Sequence, residues 1–249
     1  MKIPVGLQLY SLREDAKKDF VGVLKAVASM GYEGVEFAGY WGLSSQELKK
    51  ILNDLGLRAV GSHIGFAELQ NNLPSVLDFL CDLGAKFVVC PGAPRELVKD
   101  AEGWRNFARS MSDIGEKCKE RGLRLGYHNH AWEITPVDGK YALDLFFEEA
   151  CPESVEAQLD LGWLLYAGVD PVAYMKKYSG RCPLVHVKDF TKEKKQTEVG
   201  TGALDLDAVV ATAPEVGVEW YLIETEEYNM PPVESVKVGL WNLKAHLGI

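Results

Sequence analysis

The chain has no run of about eighteen uninterrupted apolar residues, the length a helix needs to cross a hydrocarbon layer, so no transmembrane helix is expected. It also lacks an excess of positive charge. Its 27 Lys and Arg against 36 Asp and Glu leave a net −9, which opposes non-specific contact with nucleic acid or an anionic membrane. Cysteine is scarce: Cys81, Cys90, Cys118, Cys151 and Cys182 are odd in number and form no C-x-x-C pair. They read as core thiols of a reducing, cytoplasmic compartment, not as a disulfide framework or a zinc ribbon. The first residues, Met1-Lys2-Ile3-Pro4-Val5-Gly6, run straight into a strand-like segment with no long apolar region or small-residue cleavage site, and no secretory signal is expected. No early strand is followed by a complete dinucleotide-binding glycine motif, and Gly200-x-Gly202 is only a fragment of one.

What is present is the balance of a globular domain. Apolar residues make up 47% and charged residues 25% of 249, enough for one large core, and no composition break or linker divides the chain, so a single domain over residues 1–249 is expected. Short apolar runs alternate with amphipathic stretches from end to end. Strands are predicted at 5–10, 34–37, 57–63, 86–91, 124–130, 155–160, 184–188 and 220–224. Between them, Phe20, Leu24 and Val27 recur on one helical face, Ser44 with Glu47 offers a capping box, and Asp170-Pro171 is a cap followed by a first-turn proline. Further helices are predicted at 76–83, 104–119 and 235–247. Met30-Gly31-Tyr32-Glu33-Gly34 and Leu83-Gly84-Ala85-Lys86 each end a helix with glycine just before a strand, and Leu55-Gly56-Leu57 and Arg121-Gly122-Leu123 repeat the device. This is the helix-to-strand turn of a parallel sheet, and eight such units predict an α/β (β/α)8 TIM barrel.

In such a barrel the ligand face lies at the C-terminal ends of the strands. Those ends carry Gln8 and Tyr10, Glu36, His63, the group His128, Asn129, His130 and Glu133, then Asp160, His186 with Lys188, and Glu224 with Glu226. Ionisable groups entering an apolar ring are unfavourable unless paired or bound to metal. Glu133, Asp160, His186 and Glu224 form a consistent divalent-cation set from successive strand ends. Each has a plainer reading as well. Asp160 can cap the segment after its strand, His63 and His186 can be satisfied core histidines, and Glu133 can be an ordinary loop acid.

The chain resembles the xylose-isomerase-like superfamily of barrels, and within it the sugar phosphate isomerase/epimerase proteins. The resemblance rests on Gly126-Tyr127-His128-Asn129-His130-Ala131-Trp132-Glu133, Leu159-Asp160-Leu161-Gly162-Trp163, Val185-His186-Val187-Lys188-Asp189 and Ile223-Glu224-Thr225-Glu226, in family order across essentially the whole chain. It implies that Glu133, Asp160, His186 and Glu224 bind one divalent cation, Mn²⁺ favoured, with Mg²⁺, Co²⁺ or Zn²⁺ as alternatives. Well-known ketose epimerases place the first glutamate within the fifth strand, where this chain has His128-Asn129-His130. Either Glu133 reaches back to the ion, or a histidine of that group replaces the carboxylate.

The expected chemistry is proton abstraction beside a carbonyl of a small sugar-like substrate through an enediolate, with Glu133 and Glu224 as the proton-transfer pair. His63, His128, His130 and Lys188 are expected to supply donors to the substrate. Gln8, Glu36 and Glu226 are expected to orient hydroxyls, and Trp163 to offer an apolar face. Isomerisation or epimerisation in carbohydrate metabolism is the expected outcome. A dehydratase or keto-sugar lyase using the same proton abstraction is the alternative, since a histidine of 128–130 can protonate a leaving oxygen, and a noncatalytic sugar-binding module is the third reading. DNA-repair endonucleases of the superfamily need several histidines for a multinuclear zinc centre. The chain has five histidines in all and the wrong net charge, so no nucleic-acid or membrane partner is expected. No complete phosphate cradle is visible, although Arg13, Lys188 and the group Lys192, Lys194 and Lys195 carry positive charge. The segment 192–202, rich in lysine and ending in two glycines, reads as a mobile cover or as a solvated loop. Nothing in the sequence sets an oligomeric state.

Overall fold

A computed structural model describes residues 2–249, and in it eight parallel strands close in sequence order into one barrel with helices outside. The strands are β1 (Val5–Gln8), β2 (Gly34–Phe37), β3 (Arg58–His63), β4 (Phe87–Cys90), β5 (Arg124–His128), β6 (Val155–Asp160), β7 (Leu184–Val187) and β8 (Trp220–Ile223). The (β/α)8 expectation is met. Most of the difference lies at the strand ends, which are shorter than predicted where the chain turns onto the ligand face. β1, for example, stops at Gln8 because Leu9–Leu12 coils into a 3₁₀ turn, the Tyr10 amide donating to the Gln8 side chain at 3.0 Å. The capping box of Ser44 with Glu47 and the Asp170 cap before Pro171 both form as read. Among the described residues no helix is long and apolar enough to cross a membrane.

The barrel interior is filled from the floor upward. Val60, Phe87, Val89, Leu184, Trp220 and Leu222 make a separate apolar plug inside the ring, while the larger core lies between sheet and helices. Gly34 makes room for that plug: a Cβ there would lie 2.7 Å from the Trp220 indole and 2.9 Å from the Arg58 carbonyl oxygen. Arg124 closes the floor, pairing with Glu156 at 2.7 Å and Glu219 at 2.6 Å over the Phe87 ring.

One irregularity decides what reaches the top of the barrel. The β2–β3 register jumps from Val35↔Ala59 to Glu36↔Gly61, leaving Val60 as an extra residue. Strand side chains alternate with period two, so one inserted residue re-phases everything after it. Arg58 lies beside Gly34 and, without the bulge, residue 62 and not residue 63 would share its inward face. With the bulge, His63 joins Val89 and turns into the barrel.

The segment after β7 is not a free cover. Asp189–Phe190 pairs antiparallel with Gln196–Thr197. The buried Asp189 carboxylate accepts four backbone N–H groups: Phe190 at 2.9 Å and Leu204 at 3.0 Å on Oδ1, Gly200 at 3.0 Å and Gly202 at 2.9 Å on Oδ2. A Cβ on Gly202 would sit 2.3 Å from Asp189 Oδ1, so glycine is required by close approach and not by mobility. The hairpin in turn braces the loop after β8, because Gln196 Oε1 accepts from the amides of Glu226 at 2.9 Å and Glu227 at 2.6 Å.

Candidate active site

Two-residue periodicity on β6 aims Glu156, Gln158 and Asp160 inward, from the floor pair through the middle to the rim. The neighbouring registers then set His128 opposite Gln158 and Asp160 opposite His186. Pairing of β8 with β7 sets Leu222 beside His186, and Glu224, two residues on, joins the same group. His128, Asp160, His186 and Glu224 are buried, and one ligand atom from each lies within 4.8 Å of all the others. Asp160 Oδ1 caps the next helix by accepting from the Trp163 amide at 2.9 Å. Its Oδ2 is buried with no hydrogen-bond partner among the described residues, although the Lys188 ammonium lies 3.0 Å away. Two imidazoles and two carboxylates converging in a buried site are a donor set that fits a divalent cation, since buried charges are costly unless paired or bound to metal.

Glu133 does not join them. Residues Ala131–Ile134 form a 3₁₀ turn, and the Glu133 side chain folds back on its start, accepting from the His130 amide at 2.9 Å and from the Tyr127 hydroxyl at 2.9 Å. It is fully buried and already satisfied, so it is neither within the donor cluster nor open to substrate. Of the two alternatives read from the motif, the geometry has His128 beside the other donors.

Beneath the cluster runs a polar network that the sequence reading missed in part. Gln158 Nε2 donates to Glu36 Oε1 at 2.6 Å, and Gln158 Oε1 faces His128 Nδ1 at 3.0 Å and His63 Nε2 at 2.8 Å. Glu36 Oε2 accepts from Gln8 Nε2 at 2.7 Å and lies 2.7 Å from His186 Nε2 and 3.1 Å from His63 Nε2. Glu36 and Gln8, expected to orient substrate hydroxyls, are fully buried and do not themselves line the pocket; Glu36 lies behind the lining residue His63. Gln158 was legible in principle, because an amide two residues before Asp160 on one strand must share its face.

Charge in the site is concentrated and mutually compensated. Burial opposes the charged form of Glu36, but His63 and His186 outweigh it and hold the carboxyl well below the usual range. Burial likewise opposes charge on Lys188, but Asp160, Glu224 and Glu226 outweigh it and raise its pKa. Glu224 is held low against burial by Lys188 and His186, whereas burial dominates at Asp160 and raises it. Burial, with the neighbouring His186 and His63, drives His128 well below its ordinary value, leaving a neutral imidazole able to act as a lone-pair donor.

Above the cluster opens a pocket of about 340 Å³ lined by Tyr10, Ala38, His63, Pro91, His128, His130, Glu224 and Glu226. That volume falls within the range of small-molecule sites, and the pocket is at the C-terminal end of the barrel. Of the residues expected to touch substrate, His63, His128, His130 and Glu226 line it. Lys188 is buried behind the wall, 2.5 Å from Glu226 Oε1 and 4.8 Å from the Trp163 ring centre. Trp163 packs in tilted contacts against Phe190 and His130, and its buried Nε1 has no partner among the described residues. Arg13 is committed to the loop after β8, donating to the Glu226 carbonyl at 3.0 Å and the Tyr228 hydroxyl at 3.1 Å.

The sequence profile of the xylose isomerase-like TIM barrel family matches residues 24–246, and the chain belongs to that family. Among its curated relatives is an inosose dehydratase of Geobacillus kaustophilus, 26% identical over 247 residues, the match covering 82% of this chain and 79% of that protein. A crystal structure of a sugar phosphate isomerase/epimerase from Parabacteroides distasonis is similar at a TM-score of 0.87 and 26% identity, covering 98% of this chain and 94% of that one. An IOLI protein with a bound zinc atom shares the fold at a TM-score of 0.77 and 13% identity, over 99% and 98% of the two chains.

Proposed function

We propose that this chain is a divalent-metal-dependent lyase that removes water from a small, uncharged keto-polyol of the inosose type. The reading is supported above all by one pocket in which a carboxylate, Glu224, and an imidazole, His130, face the same space over a four-residue donor set. The kinship with inosose dehydratases points the same way and turns the balance from isomerisation, the outcome expected from sequence, to elimination. His128, Asp160, His186 and Glu224 would hold the ion, whose chemistry when bound is to draw electron density from a substrate carbonyl and its neighbouring hydroxyl. With two imidazoles in place of one, the set suits borderline ions such as Zn²⁺ or Co²⁺ better than the Mn²⁺ or Mg²⁺ expected from three carboxylates.

The remaining work falls to the chain's own groups. Glu224 takes the proton from the carbon beside the carbonyl. The electron pair of that C–H bond forms the new double bond as the C–O bond at the next carbon breaks. His130 gives a proton to the departing hydroxyl, which leaves as water. The buried Glu133 carboxylate, 3.8 Å from His130 Nδ1, holds that imidazole toward its charged form and raises its pKa against the effect of burial. Among the described residues no lysine or arginine lines the pocket, while two glutamates do, and this favours an uncharged polyol over a phosphate ester.

A second reading has support from the Parabacteroides structure: the same proton removal followed by return of the proton, giving an isomer or epimer. The experiment that separates them is a metal-supplemented screen of inososes, keto-sugars and their phosphate esters in deuterated water, followed by NMR and mass spectrometry. Loss of one water from a non-phosphorylated ketone is the expected result. A product of unchanged formula carrying deuterium would establish the isomerase, and preference for phosphate esters would overturn the substrate assignment.

A further inference from the structure

Glu36 lies outside the donor cluster and is fully buried, yet its two oxygens meet four side chains from four other strands. Two of those contacts lead to the imidazoles of the candidate metal site by different routes. His186 turns Nδ1 to Glu224 at 2.9 Å and Nε2 to Glu36 at 2.7 Å, so the carboxylate outside the donor set grips one ring nitrogen and leaves the other facing the donors. The route to His128 is indirect. Glu36 Oε1 can only accept, so the amide of Gln158 must present its NH₂ there at 2.6 Å and its carbonyl oxygen to the other side. That oxygen carries only lone pairs, and a lone pair on His128 Nδ1, 3.0 Å away, would be repelled by it, so Nδ1 is the protonated nitrogen. His128 Nε2 is then the lone-pair nitrogen, and it faces Asp160 Oδ2 at 3.9 Å.

We infer that Glu36 is a positioning residue that sets both histidine ligands of the metal site, and sets them in opposite tautomers: His186 binding through Nδ1 and His128 through Nε2. The physical reason is that an imidazole with one N–H held by an acceptor has its other nitrogen committed to the metal, and outer carboxylates do this while raising ligand basicity. Here one buried carboxylate acts on one imidazole directly and on the other through an amide relay. His63, whose Nε2 is shared between Gln158 Oε1 and Glu36 Oε2, adds a donor that keeps the relay from reversing.

This inference rests on the metal site proposed above, so the test begins with the wild-type protein and Zn²⁺. Metal affinity is measured by competition with a chromophoric chelator, and ring-nitrogen protonation by long-range proton–nitrogen NMR on histidine-labelled protein. Two zinc-bound histidines of opposite tautomer are expected, His186 carrying its proton on Nε2 and His128 on Nδ1. Replacing the orienting carboxylate should weaken Zn²⁺ binding by about 10–100-fold, Glu36→Ala more than Glu36→Gln, because the amide keeps an acceptor. At saturating metal both variants should lower kcat and leave KM unchanged, since Glu36 does not itself line the pocket. Wild-type protein that binds no metal would remove the metal site and this inference together. Wild-type binding with both histidines in one tautomer, or with unchanged affinity in both variants, would overturn the role of Glu36 alone. The wild-type NMR measurement stands even if a variant fails to fold.

Discussion

Lys188 Nζ lies 3.0 Å from Asp160 Oδ2 and 3.1 Å from Glu224 Oε2, one fully buried ammonium between the two carboxylates of the candidate metal site. Nearly all of its side chain is enclosed, so the pair is not the weak surface kind that solvent screens. Gly162 lets β7 and the helix after β6 approach closely enough for this: a Cβ there would lie 2.5 Å from the Lys188 carbonyl oxygen.

Removing one partner from a buried ion pair leaves the other charge uncompensated. Lys188→Met should therefore destabilise the chelated protein by about 3–5 kcal/mol in urea unfolding. A change no larger than that of a surface substitution would mean that the ammonium contributes little to holding the two carboxylates.

The metal site separates His128 from Glu133, which the sequence motif leaves as alternatives. Asp160→Ala and His128→Ala should each weaken Zn²⁺ or Co²⁺ binding by more than the about 10–100-fold that loss of a supporting residue brings. Glu133→Ala should leave metal affinity near wild type. It should instead lower stability by about 1–3 kcal/mol, because the buried Tyr127 hydroxyl and His130 amide lose their acceptor. Competition titration alongside chemical denaturation reads both effects. A large affinity loss in Glu133→Ala with none in His128→Ala would reverse the assignment.

The Asp189 carboxylate holds the segment 190–204 through backbone amides alone. Hydrogen bonds to a charged acceptor are worth about 1.5–3 kcal/mol each, so Asp189→Ala should lower stability by at least that amount. It should also expose 190–204 to limited proteolysis and speed its amide exchange. An unchanged cleavage pattern would return this segment to the solvated-loop reading.

Much of this protein was determined locally. Hydrophobic alternation, glycine-stopped helices and the Ser44 and Asp170 caps depend on neighbours a few residues apart, so strand order and the barrel were legible without coordinates, as was the shared face of Gln158 and Asp160. Glu133 shows where local reading ends. Its carboxylate had two outlets, the metal position and the start of its own 3₁₀ turn, and only packing against the Tyr127 hydroxyl selects the second. His63 shows the same limit from the other side. Its inward direction depends on an extra residue at Val60, visible only in the pairing with β2. Nor does any strand alone reveal that Glu36 serves His186, 150 positions away, because closure of the ring makes them neighbours. Periodicity is a property of a segment and survives in the sequence. The choice among competing partners for a buried charge is a property of the closed barrel, where desolvation makes each unsatisfied group costly and leaves one arrangement that satisfies them together.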